Sequence, residues 1–186
     1  MELTDVIPGR RSIRDYTDEP VSEGTVNTLL RAAVQAPSAV NSQPWAFVVI
    51  QDKSLLKKYS DRAKVLCAEI FAADASHGEL MAMLRDPAYN IFYNSRTLIV
   101  ICAKPIGQHP DWDCCLAAQN LMLTAYDMGL GTCPIGLAWP FFDQREIREE
   151  LNLPPDYVAV MPIIVGYPRG AAPDVERKQP EIRCWK

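Results

Sequence analysis

The apolar positions of this chain fall into helical and strand periods that alternate along its length. Val26, Leu29, Leu30, Ala33 and Val34 share one face of a helix that Ser22 can cap, and Pro37 marks its end. A short apolar run at 47–51 predicts a strand. Asp52, Lys53 and Ser54 then open a helical region that carries Leu55, Leu56 and Tyr59 and runs toward Phe71. From 72 to 93 the pattern is mixed. The run from Thr97 to Ala103 has almost no polar alternation, which suits a central strand covered on both faces, and Pro105 with Gly107 breaks it.

Between 111 and 128 apolar residues cover most of the helix circumference, including Cys114, Cys115, Leu116, Ala117, Leu121 and Leu123. A chain of 186 residues rarely surrounds a helix completely by itself, so a subunit interface is the expected solution. Gly129 predicts a left-handed cap, after which the chain turns through Gly131 and Pro134. Asp143 with Glu146 resembles a capping box for a helix reaching about Leu151, and a last strand covers 157–166. The span from Val6 to Gly166 reads as one α and β unit without repeat or linker. Beyond it lies a proline-containing tail with no apolar period.

Composition narrows the function. A net charge of −4 argues against a nucleic-acid partner, and no apolar run has membrane-spanning length. The N-terminus lacks a signal-peptide layout, so a cytoplasmic protein is expected. The six cysteines form no Cys-x-x-Cys pair and read mostly as buried thiols, with no metal site. His77 and His109 lie in no ligand or nucleophile motif and read as surface residues, which removes support for zinc or serine-triad hydrolysis. Gly129-Leu130-Gly131 follows a helix where a dinucleotide phosphate turn would follow a strand, so it is not a Rossmann element. With no acid–base pair evident, a bound cofactor is expected to carry the chemistry.

Against that acidic background, Arg10-Arg11-Ser12-Ile13-Arg14 concentrates planar donor forks suited to phosphate. A second polar segment, Ala36-Pro37-Ser38-Ala39-Val40-Asn41-Ser42-Gln43-Pro44-Trp45, forms a loop directly before the first strand. Together with Gly129-Leu130-Gly131-Thr132-Cys133-Pro134-Ile135-Gly136, these segments resemble the FMN-dependent nitroreductase family over about 6–185, most weakly at 52–93.

The resemblance implies an α+β fold: a three-layer α/β/α sandwich with a mixed central sheet, in an intertwined homodimer that exchanges a C-terminal arm, 168–186, of one domain, 1–186. It implies bound FMN with NAD(P)H as co-substrate and a small-molecule electron acceptor. Arg10, Arg11 and Ser12 would meet the phosphate and ribityl chain, with Arg14 nearer the pyrimidine edge. Arg177 and Lys178 match the basic pair that the family brings from its arm, and Trp185 offers an anchor. Pro37, Ser38, Ala39 and Asn41 would reach the flavin from the second subunit. Pro134, Ile135, Gly136 and Leu137 would pass beside the ring, with the Gly136 N–H as candidate donor to N5 and Cys133 close by. The second basic position is often histidine in the family and is Arg11 here.

The implied activity is NAD(P)H oxidation coupled to reduction of nitroaromatics, quinones or related acceptors. A flavin-binding or redox-sensing protein with little nicotinamide turnover, and a dehalogenase-like relative, stand as alternatives. A cofactor-free domain is disfavoured, since crowded arginines need an anion. Tyr89, Phe92, Tyr93, Trp139, Phe141 and Phe142 are candidates to line the cleft or to fill the core.

Overall fold

The computed structural model describes residues 1–72 and 78–186. Four strands, β1 (Trp45–Ile50), β2 (Thr97–Ala103), β3 (Gly131–Pro134) and β4 (Val158–Gly166), form one sheet in the order β1-β2-β4-β3. Every ladder is antiparallel, which corrects the expected mixed sheet within the single chain. The one parallel pairing among the described residues is an isolated bridge between Ser12 and Thr132. The stretch through Gly131 and Pro134 is likewise a strand where a turn was expected, because its backbone pairs with 163–166 of β4.

Strand β2 shows why its sequence lacks alternation. Leu98, Val100 and Cys102 enter one core, while Ile99, Ile101 and Ala103 enter the other, so both faces of the strand are buried. The first core is closed by α3 (Lys53–Phe71), α6 (Trp139–Phe142) and α7 (Arg145–Glu150) through Leu56, Tyr59, Phe141, Phe142 and Ile147. The second is closed by α2 (Glu23–Ala33) and α5 (Pro110–Asp127), with Val26, Leu29, Ala117 and Leu121 packed on the sheet. Helices thus cover both faces, giving three layers.

Local chemistry sets the ends. The Ser22 hydroxyl accepts from the Thr25 N–H at 3.1 Å, and the Asp52 carboxylate accepts from Ser54 and Leu55 at 2.8 and 3.0 Å. Gly129 follows α5 at φ +77, the left-handed position expected of it. The expected cap at Asp143 is not formed. Helix α7 starts from Gln144, which makes no side-chain cap, and the Asp143 carboxylate accepts instead from Arg148 at 3.0 Å. Three of the described helices had no counterpart in the sequence pattern: α1 (Leu3–Gly9), α4 (Gly78–Arg85) and the short α6. His109 is exposed, whereas His77 lies outside the described residues.

Helix α5 is not buried all round within its own chain. Trp112, Cys115, Leu116 and Met128 are exposed, although Cys114, Ala118 and Leu121 are buried. Cys184 is also exposed, while Cys67, Cys102, Cys114 and Cys133 are the buried thiols anticipated. Among the described residues no helix is long and apolar enough to cross a membrane, and no group of residues could hold a metal ion.

Candidate functional site

Helix α1 ends at Arg10, whose N–H returns to the Val6 carbonyl at 3.0 Å. The next residues run along β3. The Ile13 N–H donates to the Thr132 carbonyl at 2.9 Å, and Gly131 permits that approach, since a Cβ there would lie 2.6 Å from the Ile13 side chain. Tyr16 then pairs with Pro168, and the Thr17 N–H reaches the Tyr167 carbonyl at 2.9 Å. Arg169 fixes the start of the arm through Asp15 at 3.2 Å and the Tyr16 carbonyl at 2.8 Å. The arginine segment is therefore held between an edge strand and the start of the arm.

A cleft of about 560 Å³ opens there, lined by Arg10, Arg11, Ser12, Arg14 and Arg177 with the arm residues Gly170 to Pro173. A smaller cavity of about 330 Å³ adjoins it, sharing Arg10 and Arg11 and reaching Tyr126 and Thr132. The Nε atoms of Arg10 and Arg11 are buried and have no hydrogen-bond partner. Arg11 otherwise donates to the carbonyls of Pro8 and Arg10 and meets the exposed Asp174 carboxylate at 3.3 Å. Buried guanidinium donors without an acceptor are costly, and an anion with several oxygens satisfies them.

Cys133 sits against this cluster. Burial raises its thiol above the ordinary value, and the charge of Arg14, a hydrogen bond with Ser12 and the charge of Arg10 only partly oppose that. Burial thus favours its protonated form. Tyr16, whose hydroxyl donates to the Ile13 carbonyl at 2.6 Å, is likewise raised by burial. From Cys133 the chain continues through Pro134 into a single 3-10 turn, Gly136–Ala138. A Cβ added to Gly136 would meet nothing within 4 Å, so no contact inside the chain explains glycine at this position.

The loop at 37–43 is built differently. The Ala39 N–H donates to both carboxylate oxygens of buried Asp113, at 3.1 and 3.3 Å, and the Ser38 hydroxyl accepts from the Gln43 N–H at 3.0 Å. Val40, Asn41 and Gln43 have φ of 50, 56 and 47°, and Val40 is 88% exposed. No residue of 37–41 lines either cavity, so within one chain the two polar segments stay apart.

Residues 7–167 match the model of the Nitroreductase family. The chain belongs to that family of oxidoreductases. It is 32% identical over 173 residues, 90% of this chain and 86% of the other, to a protein of Archaeoglobus fulgidus provisionally named NADH dehydrogenase/NAD(P)H nitroreductase. Its fold is similar to that of an FMN-dependent nitroreductase of Clostridium difficile, with a TM-score of 0.81, 27% identity and 98% of each chain covered. It is similar as well to an iodotyrosine deiodinase bound to FMN and 3-iodo-L-tyrosine, with a TM-score of 0.79, 25% identity and 98% of each chain covered.

In this nitroreductase-family chain, Arg10, Arg11, Ser12, Arg14 and Arg177 converge on one cleft, whereas exposed Lys178 does not line it. Of the aromatic candidates, Phe92, Phe141 and Phe142 are core residues, Tyr89 and Tyr93 are half-buried, and Trp139 is exposed. The motifs did not reveal the arm residues Gly170 to Pro173 or Asp174, since a proline-containing tail with no apolar period carries no signal of where it docks. Asp113 was equally silent, because an acidic residue in the first turn of a helix is ordinary.

Proposed function

We propose that this nitroreductase-family protein is an FMN-dependent NAD(P)H oxidoreductase that reduces nitroaromatics, quinones or related small acceptors. The observation that carries the reading is the convergence of Arg10, Arg11, Ser12, Arg14 and Arg177 on a cleft of about 560 Å³, with the Nε atoms of Arg10 and Arg11 unpartnered beside it. In this reading Arg10, Arg11, Ser12, Arg177 and Lys178 hold the phosphate, and Arg14 stands toward the pyrimidine edge. Pro134, Ile135, Gly136 and Leu137 flank the ring, and the Gly136 N–H donates to N5. When bound, FMN supplies the hydride chemistry between nicotinamide and acceptor. The chain positions the cofactor and contributes positive charge.

The exposed apolar side of α5, with Trp112, Cys115 and Leu116, supports a homodimer that covers it. Pro37, Ser38, Ala39 and Asn41 then reach the flavin of the other subunit. Residues 1–186 act as one domain, 168–186 as its exchanged arm, in the cytoplasm. Light scattering checks the assembly: a mass twice the 20.8 kDa of the chain, reduced to one chain by Leu116→Glu, supports it.

The visible spectrum of the purified protein tests the function. After addition of FMN and gel filtration, retained colour that anaerobic NADH or NADPH bleaches supports the reading and names the donor. Colour that neither bleaches points to a flavin-binding or redox-sensing protein, and no retained colour defeats the flavin site. The likeness to the deiodinase favours a dehalogenase-like second reading. Release of halide from a halogenated phenol under reducing conditions, with no turnover of nitroaromatics, would establish it.

A further inference from the structure

Arg14 differs from its neighbours in how it is held. Like Arg10 it makes no ion pair among the described residues, and the carboxylate beside it in the chain, Asp15, is turned to Arg169 at 3.2 Å. Its guanidinium carbon lies instead 5.9 Å from the centre of the Tyr93 ring, within cation–π range.

Tyr93 is placed there at a conformational cost. Tyr93 and Asn94 both have left-handed backbone, with φ of 51 and 56°, which bulky residues rarely adopt. The turn is overdetermined by hydrogen bonds: Tyr93 N–H to the Asn90 carbonyl at 2.8 Å, Ser95 N–H to the Phe92 carbonyl at 2.9 Å, and Phe92 N–H to the Asn90 side chain at 2.8 Å. Tyr89 braces the ring edge-on, with centroids 6.0 Å apart and planes at 84°, and its hydroxyl donates to that of Tyr93 at 3.3 Å. Tyr89 is itself anchored, since the buried Lys64 ammonium donates to its carbonyl at 2.8 Å and to the Asp86 carbonyl at 3.0 Å. A strained turn maintained by this many contacts, ending in a ring beneath an arginine that lacks a counter-ion, is a built support.

We propose that Tyr93 is a positioning residue that holds the Arg14 guanidinium at the cleft by its ring face and thereby raises the reduction potential of the bound flavin. The proposal rests on the flavin reading above. Reduction adds negative charge to a bound flavin, and a cation held nearby stabilises that form more than the oxidised one. Without the ring face, Arg14 is free to turn into solvent, where its charge is screened.

The test is the midpoint potential of the FMN-loaded protein in Tyr93→Phe, Tyr93→Leu and a series with progressively fluorinated phenylalanine at position 93, which weakens the negative ring face at nearly constant shape. Tyr93→Phe is expected to stay near wild type, and the fluorinated series to fall stepwise. Tyr93→Leu should favour oxidised over reduced FMN by up to about tenfold, or about 30 mV for a two-electron couple. A flat fluorinated series with FMN still bound overturns the role of Tyr93 alone, as does a fall in Tyr93→Phe equal to that in Tyr93→Leu. If Tyr93→Leu does not fold, the fluorinated series decides. Wild-type protein that retains no FMN overturns the flavin reading, and this proposal with it.

Discussion

The segments 10–14 and 37–43 are both short, polar and placed next to an edge of the structure, yet they are satisfied in opposite ways. In 10–14 the backbone is anchored, through Ile13 to Thr132 and Tyr16 to Pro168, while the guanidinium groups of Arg10 and Arg11 keep buried donors without acceptors. In 37–43 several polar groups find partners inside the loop or on Asp113, the buried Ser42 hydroxyl being an exception, and the main cost is conformational: three left-handed residues and an exposed valine. The first segment leaves guanidinium donors unpartnered within the chain. The second is a strained, exposed loop that does not line its own chain's cleft.

That contrast can be broken by substitution. Replacing Arg10 and Arg11 together with Ala removes two charge-assisted donor sets worth about 1.5–3 kcal/mol each. FMN affinity should fall about 100-fold or more in a fluorescence titration, while circular dichroism stays native. Unchanged affinity in that variant would mean that the cleft is not the phosphate site.

Asp113→Ala attacks the other segment. It leaves the Ala39 N–H without its acceptor and should cost about 2 kcal/mol in chemical denaturation. Asp113→Asn, which keeps one oxygen, should cost less, and equal losses in the two variants would show that the hydrogen bond is unimportant.

Val40→Asn sharpens the comparison, because asparagine tolerates φ near 50° and valine does not. The melting temperature should rise, reflecting about 1 kcal/mol of relieved strain. A lower melting temperature would instead mean that the valine side chain is packed against another subunit in solution, so the sign of the change reports the assembly.

The smallest effect lies far from both segments, at Glu150, whose carboxylate accepts from Arg62 at 2.8 Å and meets Lys58 at 3.4 Å. The hydrogen bond from Arg62 holds its carboxyl below the ordinary value of 4.5. Its contribution is therefore complete above that pH and lost as pH falls through the depressed folded-state value. Because both partners are about one-third exposed, Glu150→Gln should cost less than about 1 kcal/mol at pH 7, and the difference from wild type should vanish in strong acid.

Much of this was legible before any coordinates. The double-faced burial of β2 follows from an apolar run with no alternation, and the cap at Ser22 and the helix opening at Asp52 from polar side chains placed before apolar periods. Where reading by period failed, a specific pairing outside the local period decided. Gly131 to Pro134 became a strand because β4 offered an open edge, and Asp143 left its cap because Arg148 offered a better donor.

Charge, hydrogen-bonding capacity and periodicity belong to each residue and its near neighbours, so the sequence by itself determined the longer helices, the buried central strands and the concentration of positive charge at 10–14. Convergence does not. The packing of Ile13 on Gly131, the return of the arm to lay Arg177 beside Arg10, and the strained turn that sets Tyr93 under Arg14 join residues far apart along the chain. Only the tertiary structure decided those, because each depends on the spatial order of strands and on the space left between packed layers, which no local pattern encodes.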